Sequence, residues 1–307
     1  MTVAEMVPQA MDMIKHYPVM FRELAEFLDV SRRRMVVDCT VGMGSLAAKF
    51  LELMPPEAFL VGMDRDQDSL DIASRNLRQF ASRFSLVKSD FLDLDKALNG
   101  LGIGGADAFV FDLGISTYQL LTQERGFSFL REGNLDMRMD RDSFVSAYDL
   151  VNNLSEVELV SIFRKFGEER FAGRIARHMV EARRKDPVAT TTQLADIILR
   201  AVPGSSRKYK IHPATRVFQA LRIAVNRELE VLRPALEKAV SRLNPGGSIA
   251  VISFHSLEDR IVKRAFRDFA AAGMIEIVTR KPVVPGEEEM RENSASRSAK
   301  LRVVRKA

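Results

Sequence analysis

Short apolar runs alternate with longer amphipathic stretches over the first third of the chain. Met35 to Thr40, Ala58 to Met63, Phe84 to Val87 and Asp107 to Leu113 have the length and residue types of strands. Between the first two, a helical pattern runs from the glycines at 42 and 44 through Phe50 and Leu53 until Pro55 and Pro56 stop it. Between the second and third, residues from Asp66 to Phe80 place Leu70, Ala73 and Leu77 on one helical face. Strands alternating with helices predict βαβ units and a parallel sheet.

The pattern then changes. A fifth strand, Gly247 to Phe254, arrives long after the fourth, whereas ordinary βα connections take about 2–6 residues. The gap opens with a segment, Asp112 to Asp140, that has no helical or strand period and is broken by Gly114, Gly126 and Gly133. Its Leu, Phe and Met content argues against disorder. Its start lies at the carboxyl end of a strand, where open α/β sheets bind ligands. Helical patterns follow at Ser155 to Phe166, Glu168 to Arg184 and Thr191 to Val202, with no strand among them. Pro213 opens a long helix at a favoured first position. That helix is expected to reach about Leu243, with a break at Pro234. Ser256 and Asp259 resemble a capping box before a helix from Leu257 to Ala271, and Met274 to Thr279 and Leu301 to Val304 complete the strands. The expected division is a sheet domain at 1–135 and 213–307 with a helical insert at 136–212.

Composition narrows the class. The hydrophobic fraction of 46% is that of a globular protein. A net charge of +5 is mildly basic and admits an acidic partner such as nucleic acid without requiring one. Cys39 is the only cysteine, so no intramolecular disulfide forms and a reducing cytoplasm is the expected setting. No apolar run has the length of a membrane span, and no zinc-ligand spacing occurs, so no metal is expected.

The chemistry concentrates at strand ends. Gly42 and Gly44 follow the first strand, and Asp64 ends the second about 20 residues on, the spacing at which a carboxylate meets ribose hydroxyls. The loop is compatible with the dinucleotide NAD and equally with S-adenosylmethionine, and a tight turn beside a solvated Asp64 is the plain alternative. Asp90 and Phe91 follow the third strand, where a ring can pack on adenine or simply join the core. Asp112 ends the fourth strand, and a carboxylate there is costly if buried without a partner. Cys39 sits in the first loop, away from where a nucleophile for C5-cytosine chemistry belongs, and suits a small core residue.

These positions fall within longer motifs. Asp112-Leu-Gly-Ile-Ser116, Glu124-Arg-Gly-Phe-Ser-Phe129, Leu135-Asp-Met-Arg-Met-Asp140, His212-Pro-Ala-Thr-Arg216, Phe218-Gln-Ala-Leu-Arg-Ile223, Val225-Asn226 and Ile252-Ser-Phe-His-Ser-Leu-Glu-Asp-Arg260 closely resemble bacterial 16S rRNA cytosine-N4 methyltransferases. The resemblance runs from His16-Tyr17-Pro18 to the tail at Arg302. It implies an α/β fold, a class I (Rossmann-like) methyltransferase sheet with an inserted small all-helical domain. It also implies S-adenosylmethionine as cofactor and a decoding-centre cytidine of 16S rRNA, within the small ribosomal subunit, as substrate. Cofactor positions carry over to Gly42, Gly44, Ser45, Leu46, Asp64, Phe91, Asp112 and Gln119. Where the family usually has Gly-x-Gly-Gly-His, this chain has Ser45 and Leu46, which predicts weakened cofactor affinity; Ser45 is a candidate cap for the next helix.

Asp112, or a carbonyl of the turn after it, is the expected acceptor at the cytosine amino group, with His255 second. The plain alternative for His255 is a structural histidine at a helix start. The helix after Pro213 puts Val217, Leu221, Ala224 and Val225 on one stripe and Gln219, Arg222 and Asn226 on the opposite face. With Arg216, Arg222 and Asn226 are candidates for substrate contact, while Glu228 falls in the apolar stripe without explanation. Arg174, Arg177, Arg183, Arg184 and Lys185, then Arg207, Lys208 and Lys210, suit rRNA phosphates. A monomer or homodimer is expected. The competing readings are a DNA amino-methyltransferase, which normally carries Asp-Pro-Pro-aromatic after the fourth strand, and a non-catalytic rRNA assembly factor with a degenerate cofactor loop.

Overall fold

The computed structural model describes residues 18–204 and 212–307; His16, Tyr17, Arg207, Lys208 and Lys210 lie outside the described residues. In chain order the elements are α1 (Phe21–Leu28), β1 (Met35–Asp38), α2 (Ser45–Leu53), β2 (Phe59–Asp64), α3 (Gln67–Asn76), β3 (Phe84–Lys88), α4 (Leu94–Gly100) and β4 (Ala106–Asp112). Then come α5 (Thr117–Leu121), α6 (Ala147–Asn153), α7 (Glu156–Gly167), α8 (Ala172–Arg183), α9 (Thr191–Ala201), α10 (Ala214–Asn226) and α11 (Glu228–Arg242). The chain closes with β5 (Leu243–Ser253), α12 (Ser256–Ala271), β6 (Glu276–Ile277), α13 (Glu287–Glu292) and β7 (Lys300–Arg305).

Two compact units emerge. Among the described residues, the first comprises 18–64, 70–113 and 235–307, and the second 65–69, 114–204 and 212–234. The first unit holds a seven-stranded sheet of order β3-β2-β1-β4-β5-β7-β6. β1 to β5 pair in parallel, while β7 runs antiparallel to both β5 and β6. The inner parallel strands β1, β2, β4 and β5 are largely apolar because both faces are covered, whereas the edge strand β3 is only half-buried. Val36, Leu60, Ala108, Val110, Ala250 and Ile252 join α1 and α2 residues such as Leu24, Leu28, Phe50 and Leu51 in one buried cluster. β6 has only two residues, against the six expected from Met274 to Thr279, since Val278 and Thr279 instead donate singly to the carbonyl of Val303.

In the second unit the helices α6 to α10 pack on one another through Val151, Leu159, Phe163, Ile175, Met179, Leu194, Ile198, Val217 and Leu221. α8 begins at Ala172 and not at Glu168, because Glu168 is left-handed (φ 48°) and ends α7. The break in the long helix falls at Arg227 (φ 53°), whose N–H caps Ile223; Pro234 is accommodated inside α11. Asn226 is buried and not on an outer face. Its amide donates to the carbonyl of Met137 (2.7 Å) and accepts from the N–H of Met139 (2.8 Å), which pins the irregular segment. Arg125 holds that segment from the other side, donating to the carbonyls of Arg138 (2.9 Å) and Met139 (2.8 Å). No helix among the described residues is long and apolar enough to cross a membrane.

Candidate active site

The strand order of the first unit reverses between β1 and β4, and ligands bind in open α/β sheets outside the carboxyl ends of strands at such a point. Both strands end in an acid there. Asp38 is fully buried; its Oδ1 accepts from the N–H of Thr40 (3.1 Å), and its Oδ2 has no partner. Asp112 is half-buried as a residue, yet its Oδ1 is shut off from solvent and also lacks a partner. Thr40 ties the two ends together, because its hydroxyl accepts from the N–H of Asp112 (2.7 Å). Burial pushes Asp38 up to about 7, with the charge of Asp64 adding to the rise and the Thr40 N–H opposing it. Burial also pushes Asp112 up to about 8, helped by the charges of Asp38 and Glu258. Two sealed carboxylate oxygens with no donor are costly in isolation, and a cation beside them would favour their charged form.

The loop after β1 is built for close approach. Gly42 and Gly44 have positive φ (51° and 81°), the left-handed region that side chains resist. A Cβ on Gly44 would stand 3.2 Å from Cα and Cβ of Ala73. Asp64 accepts from the N–H of Gly42 (2.9 Å), so the carboxylate at the end of β2 braces this loop. Ser45 is the first residue of α2 and does not cap it; Gly44 occupies the cap position with no side chain to contribute. Leu46 is buried in the core cluster. Phe91 is half-buried with its ring edge-to-face on Phe111 (5.8 Å between centroids), and Asp90 accepts from the N–H of Leu92 (2.8 Å), starting a short 3-10 turn.

His255, not Ser256, is the N-cap of α12, with Glu258 in the place expected for Asp259. Its Nδ1 accepts from the N–H of Glu258 (3.3 Å), while Glu258 accepts from the N–H groups of Phe254 (2.9 Å) and His255 (3.2 Å). Imidazole therefore takes the capping role that serine often fills, and Asp259 is drawn away to Arg302 (2.7 Å).

In the second unit, Gln119 is buried. Its Oε1 accepts from the N–H of Ser116 (3.1 Å) and its Nε2 donates to Asp66 (2.7 Å), so its polar atoms are committed within the fold. Asp66 also accepts from Arg125 (2.7 Å), an ion pair with both side chains buried. Arg222 pairs in two-pronged fashion with Glu228 (3.0 Å for each bond), which explains the acid in the apolar stripe. Arg216 is exposed and donates to the carbonyl of Glu168 (3.2 Å). Among the cations expected on the insert, Arg174, Arg177, Arg184 and Lys185 are exposed, but Arg183 donates to the carbonyls of Val151 and Leu154 and belongs to the packing. Asp38 and Arg125 received no role from the sequence. An acid inside a buried strand was the available signal for the first; a charge within an irregular apolar segment was the signal for the second.

The profile of the MraW methylase family matches residues 13–307. The chain belongs to the MraW methylase family. It is 48% identical over 294 residues to the ribosomal RNA small subunit methyltransferase H of Persephonella marina, covering 96% of this chain and 100% of that protein. It is 47% identical over 308 residues to the protein of the same name from Pelobacter propionicus, covering 95% and 98%. Among solved structures, an O-methyltransferase from Bacillus cereus in complex with SAH is similar at a TM-score of 0.48 and 9% identity, covering 98% of this chain and 88% of that one. The MraW-family chain is a methyltransferase with S-adenosylmethionine as its methyl donor.

Proposed function

We propose that this MraW-family methylase transfers the methyl group of S-adenosylmethionine to the N4 amino group of a cytidine in 16S rRNA, at the decoding centre of the small ribosomal subunit. The observation that carries the reading is the pair of sealed, partnerless oxygens on Asp38 and Asp112 at the point where strand order reverses. S-adenosylmethionine is cationic and fits such a donor-poor, acceptor-rich place; when bound it supplies an electrophilic methyl group on sulfonium. Gly42, Gly44 and Ser45 would let the backbone approach the ligand, with Leu46 fixing the first turn of α2 from the core side. Asp64 would hold ribose hydroxyls while bracing Gly42, and the Phe91 ring would pack on adenine.

The cytosine amino nitrogen is a poor nucleophile because its lone pair is conjugated with the ring, so positioning supplies much of the effect. Positive charge grows on that nitrogen during transfer, and Asp112 is the acceptor that would stabilise it and take its proton. The raised affinity of Asp112 for a proton suits this task, since a cation nearby draws it into its charged form. His255, as the cap of α12, is assigned to positioning this end of β5. Gln119, through Asp66, orders the start of the segment after β4. Arg216 is the exposed substrate contact; Arg222 and Asn226 act through the elements they tie down. We keep the insert at 136–212 as the domain that carries cations to the rRNA, and we assign the assembled small subunit or a late precursor as substrate over a short stem-loop.

The test is nucleoside mass spectrometry of 16S rRNA and of small subunits after incubation with the protein and S-adenosylmethionine. N4-methylcytidine at one position is expected with the native chain. Asp112→Asn should lose transfer at saturating cofactor, and normal turnover by that variant would remove its assignment. Methylation of a short stem-loop as fast as of the subunit would overturn the substrate form.

A further inference from the structure

Helix α12 buries Leu257, Val262, Ala265, Phe266 and Phe269 against the sheet unit. Its outward face carries Arg260, Lys263, Arg264 and Arg267, all exposed. Residues three and four apart are neighbours on a helix, so these four cations form one block along about 10 Å of axis. Like charges at that spacing weaken a helix unless acids alternate with them. Here the acids are turned elsewhere. Asp259, one turn before Lys263, accepts from Arg302 (2.7 and 3.2 Å) and lies 3.8 Å from Lys300. Glu258 is buried and caps the helix start. Arg260 and Asp268 already have partners, whereas Lys263, Arg264 and Arg267 form no hydrogen bond or ion pair among the described residues. On α8, by comparison, Arg177 lies 3.7 Å from Glu156. The α12 face also exposes no large apolar side chain, so it lacks the anchor that a protein interface is normally built around. A polyanion needs only the charges and the donors.

We propose that the outward face of α12 docks on the phosphate backbone of the RNA substrate, at Lys263, Arg264 and Arg267, as an anchor on the sheet unit separate from the cations of the helical insert. The inference rests on the rRNA-methylation reading. The face carries affinity and register, and no part of the methyl transfer itself.

The test compares the native chain with Lys263→Gln/Arg264→Gln/Arg267→Gln and with the charge-conserving Lys263→Arg/Arg264→Lys/Arg267→Lys. Binding to protein-free 16S rRNA is titrated between roughly 50 and 200 mM salt, the range over which phosphate contacts show their salt dependence. Each lost phosphate contact reduces the slope of log affinity against log salt by about 0.7–0.9, so the neutral variant should be shallower by about 2–3. Its KM for RNA should rise by about tenfold or more at low salt, with kcat and S-adenosylmethionine affinity held within about twofold. The charge-conserving variant should keep the native slope. An unchanged slope and KM in the neutral variant, with the native chain active, overturns this inference alone. Weaker binding to small subunits with native binding to protein-free rRNA would assign the face to a ribosomal protein and also overturns it. A native chain that neither binds nor methylates rRNA removes the functional reading itself.

Discussion

Replacing Arg125 by methionine tests how the irregular segment after β4 is held. The Arg125 guanidinium is 2% exposed and meets Asp66 (2.7 Å), Asp68 (3.3 Å) and the carbonyls of Arg138 (2.9 Å) and Met139 (2.8 Å). Methionine has a comparable volume, though it stops short of the guanidinium position, and adapts to irregular space, so the cavity contribution is small. What is lost is charge and donors. Asp66, 1% exposed, keeps the Gln119 amide at 2.7 Å but no longer faces the Arg125 cation. Removing one partner of a buried ion pair costs about 3–5 kcal/mol, and a stranded carbonyl costs about 1–3 kcal/mol if it stays dry. These contributions share atoms and do not add, so the expected loss is about 3–5 kcal/mol in all. A chain of two compact units does not guarantee two-state unfolding, so hydrogen exchange should accompany urea denaturation. As the segment loosens, protection should fall at the amide of Met137, which donates to the backbone carbonyl of Arg125, and at that of Met139, which donates to the Asn226 side chain. It should persist at Cys39, which donates to the carbonyl of Val110 within the sheet. Adding Asp66→Asn removes the stranded charge and should restore part of the loss. A drop below about 1 kcal/mol with unchanged protection at Met137 and Met139 would refute the clamp, as would a double variant weaker than the single one.

Asp38 releases its proton near pH 4 when unfolded and near 7 when folded, so between those values the folded chain holds more protons and its stability falls as pH rises. Asp38→Asn should therefore raise the melting temperature of the ligand-free protein more at pH 8 than at pH 4 while weakening S-adenosylmethionine binding; equal gains at both pH values would count against the sealed carboxylate. Gly44→Ala forces a side chain into a left-handed backbone at about 1–2 kcal/mol and against Ala73, so calorimetry should show cofactor affinity reduced by about tenfold. Leu46→His places a polar ring in the core cluster; it should lower the urea midpoint and leave cofactor affinity no better than native, and a gain in affinity would show that position 46 faces the ligand.

Much of the architecture was legible in local pattern. The apolar runs located β1 to β5 to within a few residues, because strands buried on both faces, as the inner ones are, must be mostly apolar. Prolines and glycines marked the end of α2 and the turn after β1, because those residues constrain the backbone wherever they stand. The acids at the ends of β2 and β4 and the long motifs through residues 112–140 pointed to the candidate site and to the family. Partner choice was not legible. That Asp38 and Asp112 share Thr40 depends on β1 pairing with β4 across some seventy residues of chain. The same holds for Asn226, assigned by helical spacing to an outer face yet buried because Met137 and Met139 supply its partners. Glu228 lay in an apolar stripe until Arg222 was brought to it, and His255, read as a second acceptor or as a structural histidine at a helix start, is a cap because the N–H of Glu258 meets its ring. The helix break went to Arg227 and not to Pro234, since Arg227 could adopt the left-handed turn that closes α10. Local sequence determines where a backbone turns and which side chains seek burial. Which donor meets which buried acceptor is decided only when distant segments pack, because an unmet polar group costs most where water is excluded.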